Sequence, residues 1–104
     1  MKDSISSDQC ADMLKALADA ERLRLIQALR ERAQSVSDLA ALLDNDIGNI
    51  SHHLKVLRRR GIVTTVRQGK QVIYSLSDRM QRGRAAKGDR LDLGCCCLEL
   101  PRRS

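Results

Sequence analysis

DIGNISHHLKVLRRR, residues 46–60, is the stretch that decides the predicted fold. Residues three and four apart share a face of an α-helix, and the stretch carries one such apolar stripe: Ile47, Ile50, Leu54 and Leu57. The opposite face is small and polar at its start and cationic at its end, with Gly48, Asn49, His52, Lys55 and Arg59. Short polar groups can reach base edges in a DNA major groove and cations can contact phosphates. The stretch therefore predicts either a DNA-recognition helix, with Asp46 as its N-cap, or an ordinary solvated helix.

The residues just before this stretch predict a short helix and a tight turn. Ser35-x-x-Asp38 has the spacing of a capping box. It opens an apolar stripe that consists of Val36, Leu39, Ala40 and Leu43. Asp44-Asn45 then supplies the turn. A short helix, a polar turn and an amphipathic helix together predict a helix-turn-helix.

Further elements are predicted on both sides. Residues 8–18 and 21–32 have helical periodicity, with Ser7 or Asp8 as the first cap and a break at Asp19-Ala20. After Gly61, which is expected to end the recognition helix, residues 62–66 and 71–76 read as two strands. The connection 67–70, RQGK, is cationic, and Gly69 is expected to supply a positive φ. A basic hairpin in this position predicts a wing.

Composition limits the classes of function. The 104 residues, 42% of them hydrophobic, suit one modest core. No apolar run approaches the ~20 residues of a membrane span, and the N-terminus lacks a signal-peptide pattern, so a cytoplasmic protein without a membrane partner is expected. Residues 1–54 carry six Lys/Arg and nine Asp/Glu, a balance of −3, whereas residues 55–104 carry thirteen and four, a balance of +9. A basic half indicates a polyanionic partner, or merely a solubilising tail.

LKALADAERLRLIQAL, SVSDLA, ISHHLKVLRRRGIV and RQGKQVIYSL, in this order, resemble the ArsR/SmtB family of bacterial winged-helix regulators over about residues 10–77. The resemblance implies a mainly α fold with a β-hairpin wing (α+β), a homodimer, and binding to an imperfect palindromic operator in double-stranded DNA. It also implies release of the DNA by a metal or metalloid ion. The groove-facing positions implied are Gly48, Asn49, Ser51 and His52, and the wing positions are Arg67 and Lys70. Residues 1–77 would form the DNA-binding domain and residues 78–104 a dimerisation and sensor tail.

Two sensor patterns of that family are missing. Ser35-Val36-Ser37 stands where many arsenic and cadmium sensors have Cys-Val-Cys, and the two histidines, His52 and His53, both lie in the recognition helix. The C-terminal dimer helix is also doubtful, because residues 78–90 contain two glycines and little apolar periodicity.

LDLGCCCLELP, residues 91–101, holds the candidate sensor. Two strand-like pieces flank Cys95, Cys96 and Cys97 at a glycine turn. Soft thiolates select thiophilic ions, so arsenite or another soft ion is the favoured ligand; redox sensing and a structural role are the alternatives. Cys10 on the first helix is either a small buried residue or a thiolate that reaches the tail site of the partner subunit.

Three functions follow from these patterns. The favoured one is a DNA-binding repressor, not an enzyme and without a required cofactor, that senses a thiophilic ligand. A redox-sensing repressor of the same fold is the second. A thiol-based metal carrier is the third, and it has no support beyond the cysteines, since no CxxC motif or acid–base pair accompanies them.

Overall fold

Four helices precede the hairpin. The computed structural model describes residues 6–81 and 90–101, and its helices are α1 (Ser7–Leu17), α2 (Ala20–Glu31), α3 (Val36–Leu43) and α4 (Ile47–Arg59). Each begins after a residue whose side chain accepts a backbone N–H of the first turn: Ser6, Asp19, Ser35 and Asp46. The last two confirm the predicted caps of the helix-turn-helix. The prediction of Ser7 or Asp8 for α1 is wrong, because Ser6 forms the cap and exchanges hydrogen bonds with Gln9.

Three strands form an antiparallel sheet: β1 (Gln34–Ser35) lies between α2 and α3, whereas β2 (Val63–Gln68) and β3 (Gln71–Leu76) follow α4. Their spatial order is β1-β3-β2. The strands β2 and β3 form the predicted hairpin, and Gly69 has the expected positive φ of 61°. The hairpin is longer than predicted, because residues 67 and 68 pair with residues 72 and 71 and only two residues remain in the turn. The strand β1 was not predicted, since two residues carry no periodicity.

One core joins helices, sheet and tail. Its fully buried side chains are Leu25, Ile26, Leu39, Ile50, Leu54, Leu57, Ile62, Val63, Met80, Leu91 and Leu93. Ile47, which repeats with the apolar stripe of α4, is 54% exposed, because it lies in the first turn of the helix.

The C-terminal tail packs onto this core as a second hairpin. The strands β4 (Arg90–Asp92) and β5 (Cys97–Glu99) pair with Leu91 opposite Leu98. Gln27 Nε2 of α2 donates a hydrogen bond of 2.8 Å to the carbonyl of Pro101. Leu91 and Leu93 are buried by their own chain, as are Met13 and Leu17 of α1. The tail thus folds back over the helices, while Leu14 of α1 is exposed and Leu98 and Leu100 of the tail are only partly buried.

Residues 78–81 form a short 3₁₀ turn, and Met80 within it is fully buried. The expected irregular stretch 78–90 otherwise lies largely outside the described residues. None of the helices in residues 6–81 and 90–101 combines the length and the apolar content that a membrane crossing requires.

Candidate nucleic-acid interface and cysteine site

The turn between α3 and α4 sets the direction of the recognition helix. Asp44 adopts the left-handed conformation with φ 53°, and the backbone N–H of Asn45 donates to the carbonyl of Ala40. Asp46 Oδ2 accepts the N–H of Asn49 at 3.0 Å. These local hydrogen bonds pair free backbone groups at the end of α3 and at the beginning of α4, although only three residues separate the two helices. The predicted helix-turn-helix is confirmed.

The outward face of α4 carries most of the predicted groove-facing residues. Gly48, His52, Lys55 and Arg59 are exposed, and Ser51 is partly exposed. Asn49 is also exposed, but its side-chain amide donates to Asn45 Oδ1 at 3.2 Å. Successive residues turn by about 100°, so Gly48 and His52 lie near one line along the helix and Asn49 lies on its flank. Contact of these residues with DNA stays a prediction.

Gly48 has a structural reason to lack a side chain. A Cβ at this position would lie 3.0 Å from Asp46 Oδ2, the carboxylate oxygen that caps the helix. Glycine costs about 1 kcal/mol in a helix interior relative to alanine. In the first turn of α4, its small size preserves the cap and leaves the backbone of the outward face uncovered.

His53 anchors the other side of the recognition helix. Its ring is buried, and Arg22 Nη1 of α2 lies 3.1 Å from His53 Nδ1. A guanidinium has only donors, so His53 Nδ1 is the acceptor in this contact. The Arg22 side chain also donates to the carbonyl of Ala16, at the end of α1. The sequence did not identify Arg22 as the partner of His53, because no local pattern relates residues so far apart.

Asp19 completes this anchor. Its carboxylate accepts the backbone N–H of Arg22 at 3.1 Å, and the guanidinium of the same residue lies 4.0 Å from its other oxygen. The hydrogen bond, with the nearby positive charge, holds the pKa of Asp19 below its usual value of 3.8, although partial desolvation opposes the shift. The cap of α2 and the anchor of α4 therefore share one arginine.

The wing positions lie on a separate, exposed element. Arg67 is in β2 opposite Val72, and Lys70 is in the two-residue turn. Both side chains are exposed, as is the nearby Val66. A cationic hairpin tip of this kind can contact phosphates without reading the sequence.

Three cysteines meet where the tail crosses α1. The sulfur atoms of Cys10, Cys95 and Cys96 all lie within 4.8 Å of one another. Cys10 and Cys95 are joined as a disulfide with their Cα atoms 6.1 Å apart, and Cys96 Sγ is 4.0 Å from Cys95 Sγ. Cys97 is exposed, lies on β5 and is not a member of this group.

The turn that the cysteine site requires is present. Gly94 has φ 89°, its N–H donates to Asp92 Oδ1 at 2.8 Å, and the N–H of Leu93 donates to the carbonyl of Cys96. Cys95 and Cys96 therefore lie in the turn and not on a regular strand, where adjacent side chains would point apart. Cys10 reaches them from the same chain, so the site forms within one chain, whereas one of the two alternatives for Cys10 was a contact with the tail of the partner subunit.

An open cavity of about 180 Å³ lies between α1, the end of α4 and the 3₁₀ turn. Its lining residues are Gln9, Asp12, Met13, Arg59, Arg60 and Arg79. Arg60 Nη1 lies 3.4 Å from Asp12 Oδ2 across it. The helix that carries Cys10 is thus in contact with the cationic end of the recognition helix.

Helix-turn-helix, outward cationic face and basic hairpin together define a winged helix-turn-helix protein. A family model described as a helix-turn-helix domain matches residues 17–66. The transcriptional repressor SmtB homolog of Synechocystis is 42% identical over 72 residues, which are 69% of this chain and 54% of that protein. The chain thus spans about half the length of this curated relative.

Solved structures agree with the sequence matches. The homodimeric winged helix-turn-helix DNA-binding domain of Mb0332 from Mycobacterium bovis, a possible ArsR-family regulator, has a TM-score of 0.65 and 28% identity, covering 67% of this chain and 65% of that one. A possible transcriptional regulator for arsenical resistance has a TM-score of 0.61 and 37% identity, covering 64% of this chain and 70% of that one. The chain belongs to the ArsR/SmtB family of winged-helix transcriptional regulators.

Proposed function

We propose that this chain is a transcriptional repressor that binds an operator in double-stranded DNA and releases it when a thiophilic ligand occupies the cysteine site. The observation that carries the proposal is the outward face of α4, which is polar at its start and cationic at its end and stands beside a basic wing. Two acidic residues near α4 are engaged locally, Asp46 as the helix cap and Asp12 in an ion pair with Arg60. The face that remains exposed along the helix is therefore suited to a polyanion.

The active form is proposed to be a homodimer on an imperfect palindrome. Two half-sites in successive major grooves lie about 34–36 Å apart, and one winged domain carries a single recognition helix. Leu14 is 39% exposed on α1, whereas its neighbours Met13 and Leu17 face the core. This places an apolar residue on the outer side of α1, the helix from which a dimer contact is proposed.

Salt dependence tests the DNA-binding function. Each phosphate that Lys or Arg neutralises contributes about −0.9 to the slope of log K against log salt. Affinity for a duplex pool should therefore fall steeply as salt rises. A flat dependence, or no retention on DNA at low salt, would exclude this function.

The regulatory ligand is proposed to be arsenite or another soft thiophilic ion, held by Cys10, Cys95 and Cys96 in their reduced form. Thiolates are the donors that such ions prefer, and three sulfur atoms already lie together. The structural relative named for arsenical resistance supports this ligand class. Cys97, predicted as a possible ligand, is placed outside the group and is the matched control.

A redox switch is the second candidate, and the bond between Cys10 and Cys95 favours it. The two thiols would lose two electrons and two protons to hydrogen peroxide, giving the disulfide and two water molecules. Disulfides in a reducing compartment are usually transient or redox-sensing. In this case DNA release would follow oxidation and not ion binding.

Single Cys→Ser variants separate the two candidates. Arsenite sensing requires all three thiolates, so the variants at 10, 95 and 96 should each lose arsenite-dependent release while Cys97→Ser responds normally. Redox sensing through the observed bond requires Cys10 and Cys95 alone, so Cys96→Ser would still respond to peroxide. Each variant is titrated in reduced form, with release followed by fluorescence anisotropy of labelled DNA. Release of DNA from the Cys95→Ser variant by either agent would place the sensor elsewhere.

A further inference from the structure

Ile47 is a large apolar side chain at the first position of the recognition helix, and it is 54% exposed. A single exposed apolar residue is common on protein surfaces and has no meaning by itself. The place of Ile47 in the recognition helix makes its exposure significant. The residues of an HTH recognition helix that meet base edges are those of its N-terminal turns.

Helical geometry places Ile47 at the edge of the buried stripe of α4, about 20° from the buried Leu54 and about 40° from the partly exposed Ser51 around the helix axis. It is exposed because it stands in the first turn of the helix. Gly48 has no side chain that could cover Ile47 from the outward side. Asn49 lies on the far flank, and its amide is bonded to Asn45. The end of the recognition helix that meets base edges in helix-turn-helix proteins therefore carries an exposed apolar side chain.

The major groove contains one apolar group that such a surface can recognise, the C5-methyl of thymine. We propose that Ile47 is a specificity-determining residue that contacts a thymine methyl in each operator half-site. This inference rests on the proposed DNA-binding function. It assigns recognition of an A·T pair to a residue that sequence periodicity had placed in the core.

DNA in which uracil replaces thymine tests the contact, because it removes the methyl and leaves base pairing unchanged. A duplex selected by the wild-type protein from a random pool is prepared in both forms, and affinities are compared. Burial of one methyl-sized group corresponds to about fourfold in affinity, so the wild type should bind the uracil form about fourfold more weakly per half-site.

The Ile47→Ala variant should bind both forms with equal affinity, and its own selected sequences should lose the thymine at that position. Leu42→Ala is the matched control, since Leu42 is an exposed apolar residue of α3 and its loss should leave the uracil penalty intact. Thermal unfolding of both variants checks that they fold.

Three results are distinguishable. A wild type that fails to bind duplex DNA overturns the proposed function itself. A wild type that selects a sequence but binds thymine and uracil forms equally overturns the role of Ile47 alone. An Ile47→Ala variant that keeps the uracil penalty also overturns the proposed thymine contact. So does a variant that changes the oligomeric state and not the uracil penalty, which would make Ile47 a contact between subunits.

Discussion

Arg60, the residue that ends the recognition helix, forms an ion pair with Asp12 of α1, with Nη1 and Oδ2 3.4 Å apart. Asp12 lies two residues after Cys10, so one short helix contacts both the cysteine site and the end of α4. A ligand can change DNA affinity only if it binds two arrangements of the protein unequally. The Asp12–Arg60 pair is a direct contact through which a shift of α1 would reach the recognition helix.

Asp12→Asn should therefore weaken the coupling between thiol ligand and DNA. Both side chains are partly exposed, and pairs of this kind contribute about 0.2–1 kcal/mol, so the change in DNA affinity on ligand binding should shrink by up to about fivefold. Ligand affinity in the absence of DNA should be retained. Glu21→Gln is the control, because it breaks an ion pair of similar length within α2. Equal coupling in wild type and Asp12→Asn would show that α1 transmits its signal by another contact.

The adjacent histidines should behave differently when each is replaced by alanine. His53→Ala removes a buried ring and its hydrogen bond with Arg22, and should cost about 1–3 kcal/mol in free energy of unfolding. His52→Ala removes an exposed ring and should change stability by no more than about 0.5 kcal/mol. Urea denaturation measures both. Similar losses for the two variants would contradict the assignment of His53 as the anchor.

Asp19 should make part of the stability dependent on pH. Its pKa is held below 3.8 by the hydrogen bond from Arg22 N–H and the guanidinium of the same residue. A lowered pKa means that the stabilisation is present above the unfolded-state value and is lost as pH falls through the folded-state value. The wild type should thus exceed Asp19→Asn in stability near neutral pH, and the difference should shrink as pH falls through the lowered folded-state pKa of Asp19. Paired urea titrations check this, and a difference that is constant with pH would contradict it.

The tail should contribute to the core of its own chain. Leu93 is fully buried, and Leu93→Ala should cost about 2–5 kcal/mol in free energy of unfolding. Leu14→Ala removes a leucine that is 39% exposed and should cost much less in the folded monomer. Thermal and urea unfolding at low protein concentration compare the two. A small loss for Leu93→Ala would mean that β4 and β5 are not packed on the helices in solution.

Base-facing and wing residues should affect DNA binding in different ways. His52→Ala and Asn49→Ala should reduce discrimination between operator and random DNA by about 1–3 kcal/mol, if each loses a contact with a base edge. Arg67→Ala and Lys70→Ala should weaken binding to both DNAs alike and lower the salt slope. Binding curves on the two DNAs at several salt concentrations are the measurement. Equal losses for all four variants would contradict the division of roles.

What the sequence by itself determined about this protein is mostly local. The N-caps Ser35 and Asp46 and the glycine turns at Gly69 and Gly94 depend on bonds and backbone angles within about three residues, so their signals lie next to each other in the chain. The order of helices and the wing follows from such signals, and the family resemblance agrees with it. Cys95, Cys96 and Cys97 were recognised as a candidate site because three consecutive cysteines are unusual in a sequence.

The tertiary structure decided what depends on distant parts of the chain. Arg22 meets His53 across 31 residues, and Cys10 meets Cys95 across 85, and periodicity contains no information about such pairs. Ile47 repeats with the buried stripe yet is exposed, because the neighbouring elements do not extend as far as the first turn of α4. Leu91 and Leu93 of the tail lie in the core of their own chain, and a dimer contact of the tail stays a prediction. Periodicity specifies which face of an element is apolar, but only the packing of the whole chain specifies what covers that face.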